Sequence, residues 1–182
     1  MPAREWVEVN IHFRGSWDEA RHVIIDFVKP FVNSHRSLKQ SWHYFQEVCP
    51  PNGERPGEPE IRLRFFGKSS NISIIRADLT RDLTQLIASG QFPVTYFHFG
   101  NHGGPGQYQG EADYWGKDWK IAMRQYQKGA EFGLFFLSKY PIQRQPTIPI
   151  GRHGHRYAHL LLNQMTVPHQ YMGPITNLAV PE

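Results

Sequence analysis

Apolar and polar residues alternate over Glu5–Phe13: Val7, Val9, Ile11 and Phe13 fall on one parity, Glu8, Asn10 and His12 on the other. That period of two predicts a β-strand. Gly15 interrupts it, and Ser16 with Glu19 forms a capping box that opens a helix. In that helix Ala20, Val23, Ile24, Phe27 and Phe31 share one face, and Pro30 is expected to kink its last turns or end it. Ser41–Val48 reads as a second strand. The Pro/Gly-rich run Cys49–Pro59 is then a loop to a third strand within Gly57–Gly67, which makes the two strands a long-looped hairpin. Asn71–Ala77 reads as a further strand. Asp78–Gly90 reads as a short helix with Leu79, Leu83, Leu86 and Ile87 inward and Gly90 as its stop. Pro93–Phe99 is strand-like, and Phe99–Gly116 is glycine-rich and irregular. A helix over Asp118–Leu137 aligns Trp119, Met123, Tyr126, Ala130, Leu134 and Leu137, and a last helix is expected over Arg156–Met165. The order of elements predicts an α+β fold, a mixed or antiparallel sheet packed against several helices, in a single domain spanning residues 1–182.

Composition narrows the function classes. Five tryptophans, twelve phenylalanines and eight tyrosines argue for a packed, aromatic-rich globule. Net charge is +4 with a sequence pI of about 9.3, which favours acidic partners in general. The basic residues are dispersed, so no direct nucleic-acid partner is expected. Cys49 is the single cysteine, which excludes an internal disulfide and suits a reducing compartment. The first residues lack a signal-peptide pattern, and no apolar run approaches the roughly 20 residues of a membrane helix. A cytoplasmic protein without a membrane partner is expected.

Candidate chemistry concentrates in a few places. Arg62 and Arg64 sit two apart in a strand, so their guanidinium groups share one face; either Glu60 or Glu47 neutralises them on an exposed face, or they clamp an anion. On the last helix Arg156, His159 and Asn163 share a polar stripe, an arrangement suited to an oriented acid/base. His153, His155 and His159 have an H-x-H-x3-H spacing, but Arg152 and Arg156 would repel a cation, and His98 and His102 read as loop or pocket histidines; no metal or cofactor is expected. The loop "GNHGGPG" lacks the lysine and Ser/Thr of a phosphate-binding loop. Cys49 reads as a plain thiol. Tyr108, Tyr114, Trp115 and Trp119 are either packing residues or the lining of a peptide groove.

Three segments in order carry a family resemblance: "WHYFQE" (Trp42–Glu47) followed by "EIRLRFFG", then "YQGEADYWG" (Tyr108–Gly116), then "RYAHLLLNQM" (Arg156–Met165). Together, over roughly Trp6–Thr166, they resemble the C-terminal, glutamate-eliminating domain of lantibiotic dehydratases, also called the thiopeptide-type bacteriocin biosynthesis domain. The resemblance implies a lyase that expels glutamate from a glutamylated serine or threonine of a precursor peptide, leaving dehydroalanine or dehydrobutyrine. It implies Arg62 and Arg64 as an anion clamp and His159 as acid/base, with Arg156 and Asn163 orienting it. Tyr108 and Glu111 become substrate-binding residues. A separate subunit that uses glutamyl-tRNA would supply the ester, because the large glutamylating region is lacking, and a homodimer is compatible with the group. Glu60 stands where the family has histidine, and "ADYWG" follows where it has an arginine. Relatives of the same fold are pyridine synthases, which join two dehydroalanines and release the leader peptide. A leader-binding accessory subunit without catalysis is the third possibility.

Overall fold

The computed structural model describes residues 3–15, 17–49, 51–100, 108 and 115–139. The expectations at Glu111, Arg156, His159 and Asn163, and the helix over Arg156–Met165, lie outside them.

Four strands form one antiparallel sheet: β1 (Arg4–Phe13), β2 (Ser41–Val48), β3 (Pro59–Lys68) and β4 (Val94–Phe99), in the order β2-β3-β1-β4. The long-looped hairpin is present as β2 and β3. β1 is central: Glu8 lies opposite Arg64, Asn10 opposite Arg62 and His12 opposite Glu60, and on its other side Asn10 faces His98. This is the α+β architecture that the pattern predicts.

One sheet face carries Val7, Val9, Ile11, Phe13, Ile61, Leu63, Phe65, Trp42 and Tyr44, all buried in the apolar core. The first helical segment covers part of it as α1 (Trp17–His22), a π-helical stretch (Val23–Val28) and α2 (Lys29–Ser34). At its start the Glu19 carboxylate folds back against Gly15, whose φ of 110° and lack of a Cβ leave room for it. Pro30 does not end the helix. The wide turns ahead of it carry the Lys29 N–H to the Ile24 carbonyl, five residues back, and Pro30 enters as the second residue of α2, where a missing N–H costs little.

The strand expected over Asn71–Ala77 is instead helix. One element, α3 (Ser69–Ser89), runs through both expected pieces and buries Ile72, Ile75, Leu79 and Leu83 at spacings of three and four. Gly90, with φ of 63°, caps it in the left-handed region. His35 Nε2 meets Asp78 Oδ2 at 2.9 Å and ties the first helical segment to α3.

After a short 3₁₀ turn (Gly116–Asp118), α4 (Trp119–Lys139) runs along the β2 edge. Ala130, Leu134 and Leu137 join the apolar core, while Met123 packs with Trp6 and Tyr108, beside Trp119 and Tyr126, in a second, aromatic cluster. Among the described residues no helix is long and apolar enough to cross a membrane.

Candidate functional site

The second face of the sheet is polar, and it is buried too. Glu8, Asn10 and His12 from β1, His43 from β2, and Glu60, Arg62 and Arg64 from β3 are all shielded from solvent, Arg64 to 1% exposure and Arg62 to 5%. Strand alternation places them there: the residues of opposite parity fill the apolar core, so these must share the other face. A buried ion costs several kcal/mol unless paired and hydrogen-bonded, so the layer requires internal partners.

Arg64 has several. Its Nε donates to Glu8 Oε2 at 2.6 Å, and Asn10 Nδ2 donates to the other Glu8 oxygen at 3.1 Å. The guanidinium lies over the Tyr108 ring at 4.1 Å and the Phe45 ring at 5.0 Å. Its Nη1 stands 3.4 Å from His43 Nε2. A guanidinium only donates, so that nitrogen accepts and the His43 proton sits on Nδ1. Burial, reinforced by the Arg64 charge, holds His43 well below the ordinary histidine range, which keeps it neutral. The Trp6 and Tyr126 rings pack on it at 5.5 and 5.4 Å.

Arg62 bridges two carboxylates, Glu60 at 2.5 Å and Glu47 at 2.8 Å. Both are its cross-strand or same-strand neighbours. Glu60 is fully buried, whereas the Glu47 side chain is 31% exposed, so Glu47 marks the open end of the layer. Burial pushes the Glu60 carboxyl up, against the pull of Arg62.

Beyond Glu60, His12 Nε2 lies 3.6 Å from Glu60 Oε2 and 3.3 Å from His98 Nδ1. Burial, with help from His98, lowers His12 to about 4. Cys49 completes this corner. Its backbone is pinned by hydrogen bonds with Glu58 and Gly57 (2.8 and 3.0 Å), and burial pushes its thiol up.

Of the residues singled out in the sequence, the fold brings Arg62, Arg64 and Tyr108 together. The exposed-face alternative for the two arginines does not hold: the face is buried, and both carboxylates named as partners converge on Arg62. Trp115 is exposed and Trp119 half-buried. Cys49 is not isolated, since His12 and Glu60 adjoin it. In the sequence Glu8, Asn10, His12 and His43 look like the polar positions of ordinary strands. The available signal was parity, because a central strand with polar residues at every second position needs a polar layer to receive them.

No family model matches the chain, and no curated protein matches it in sequence. Among solved structures the fold is similar to that of the tRNA-dependent lantibiotic dehydratase MibB from Microbispora sp. 107891, with a TM-score of 0.58 at 14% identity over 74% of this chain. The match spans 12% of MibB, so the chain corresponds to a small part of that protein. At this identity the likeness is one of fold. TsrL also matches, with a TM-score of 0.46 at 20% identity over 75% of this chain and 35% of TsrL.

Proposed function

We propose that this chain is a peptide-modifying lyase that eliminates glutamate from glutamylated serine or threonine in a ribosomally made precursor peptide. The observation that carries the reading is the pair Arg62 and Arg64, side by side in a water-poor layer, with Arg62 held at its outer end, among the described residues, by the partly exposed Glu47. A substrate carboxylate that takes the place of Glu47 gains a charge-assisted contact without stripping a bare guanidinium of its partner. The fold shared with part of a lantibiotic dehydratase agrees with this assignment.

In the proposed reaction a base removes the Cα proton of the esterified residue. The electron pair forms the Cα=Cβ bond, the Cβ–O bond breaks, and glutamate leaves as a carboxylate. Arg62 and Arg64 stabilise the enolate-like charge and the departing anion, since fixed cations in a dry site act strongly on developing charge. His159 is assigned as acid/base, with Arg156 and Asn163 orienting it. Tyr108, which stacks on Arg64, and Glu111 contact the peptide. Glutamylation itself falls to a separate glutamyl-tRNA-dependent partner.

A second reading is a leader-binding subunit without turnover. What favours it is that Arg62 and Arg64 each already have a carboxylate partner, the arrangement of a structural ion network. One assay separates the two. A synthetic peptide with a glutamylated serine is incubated with the purified chain and followed by mass spectrometry. Loss of glutamate that disappears in Arg62→Ala and His159→Ala establishes elimination. Peptide binding without mass change establishes the accessory role, and leader release from a bis-dehydroalanine peptide would move the assignment to cyclisation.

A further inference from the structure

We propose that His12, Cys49 and Glu60 form a binding site for a divalent transition metal of zinc-like chemistry, at the corner of the buried polar layer away from Arg64. Each offers one ligand atom, and the three atoms lie within 4.8 Å of one another. A zinc ion places its nitrogen, oxygen and sulfur ligands about 2.0–2.3 Å away and thus within about 4 Å of each other, so side-chain adjustments of about 1 Å close the sphere. One thiolate, one imidazole and one carboxylate are a borderline-soft set that fits zinc rather than calcium or magnesium. Three protein ligands leave a fourth position for water or substrate.

Three further observations point to a ligand. Glu60 is fully buried, and while its Oε1 accepts from Arg62, its Oε2 has no hydrogen-bond partner among the described residues and faces His12. An unpaired buried carboxylate oxygen is costly, and a cation would satisfy it. Local charge also favours a cation, because Arg62 meets two carboxylates, Glu47 and Glu60, which leaves one negative charge in surplus. The remaining neighbours are themselves engaged: Arg55 reaches Glu58 at 3.6 Å, and Glu54 accepts from Tyr96. Finally, the ligands are preorganised. His12 and Glu60 are direct cross-strand partners, Cys49 follows β2 with its backbone pinned, and His98 stacks on His12 with ring centres 5.2 Å apart. On binding, the Cys49 thiol releases its proton to solvent and the sulfur becomes a thiolate ligand.

The inference stands independently of glutamate elimination, and its test uses no turnover. The full chain, treated with chelator, is titrated with Co²⁺ and the absorption spectrum recorded. One equivalent is expected to bind with a thiolate-to-cobalt charge-transfer band, and Zn²⁺ is expected to displace it. Cys49 is the sole cysteine, so the band reports on this position alone. Cys49→Ser should abolish the band, while His12→Gln and Glu60→Gln should each weaken binding by more than about tenfold, the low end of what loss of even an outer-shell partner costs. Absence of the band in the folded wild-type chain would overturn the site without recourse to any variant. So would full-affinity binding in the His12 and Glu60 variants, with their fold verified by circular dichroism.

Discussion

Arg64 shows how far a single residue depends on partners distant in sequence. It is almost wholly buried, and its countercharge comes from Glu8, 56 residues earlier. Removing one member of such a pair strands the other in a dry environment. Arg64→Ala is therefore expected to destabilise the fold by about 3–5 kcal/mol in denaturant unfolding. The double variant Glu8→Gln/Arg64→Met should recover part of that loss, since replacing both charges removes the stranded one. The side-by-side placement of Arg62 and Arg64 was legible from alternation, and the carboxylates on Arg62, Glu47 and Glu60, from proximity in the hairpin. Glu8 was not, because a partner brought in by a neighbouring strand leaves no local trace in the chain.

Among the elements, β1 and β3 were legible because apolar residues recur at every second position, and β2 because it is rich in aromatic residues and flanked by a Pro/Gly-rich loop. The segment Asn71–Ala77 was not: three isoleucines in seven residues favour a strand by propensity. The helical repeat from Ile72 through Leu83, continuous with the next segment, decides otherwise once it can bury a stripe. Propensity at a few residues is a weaker force than burial along 21. Gly90 marks the stop of α3 in the sequence and in the structure alike. A Cβ there meets nothing within 4 Å, so the strain of Gly90→Ala is purely conformational. Thermal unfolding of that variant is expected to show a loss of about 1–2 kcal/mol, the cost of a left-handed L-residue. Of the two outcomes expected at Pro30, ending the helix does not occur, for a related reason. A proline ends a regular helix, but a π-helical stretch before it changes which carbonyl each amide reaches.

At the scale of the whole molecule, the sheet separates an apolar core from a buried polar layer, and this sets the response to acid. His12, lowered to about 4, and His43, lowered by burial, stay neutral in the fold but return to about 6.5 on unfolding. As pH drops below about 6.5 the unfolded chain binds more protons than the folded one, so stability falls with acidification. Glu60, whose carboxyl is raised, acts in the opposite sense, but it is one group against two. The midpoint of thermal unfolding is expected to decline between pH 7 and about 5, and less steeply in His43→Asn. The same layer also fixes how the chain aligns with itself. Sliding β1 along β3 by two residues would keep Val7, Val9, Ile11, Phe13, Ile61, Leu63 and Phe65 on the apolar face, so hydrophobicity there does not forbid it. One direction would set Glu8 against Phe66 and His12 against Arg62; the other would leave Arg64 opposite Trp6. Each mistake buries an unmatched charge. The cross-strand charges thus act as the teeth of a key, admitting one alignment among several that the greasy side of the sheet would accept.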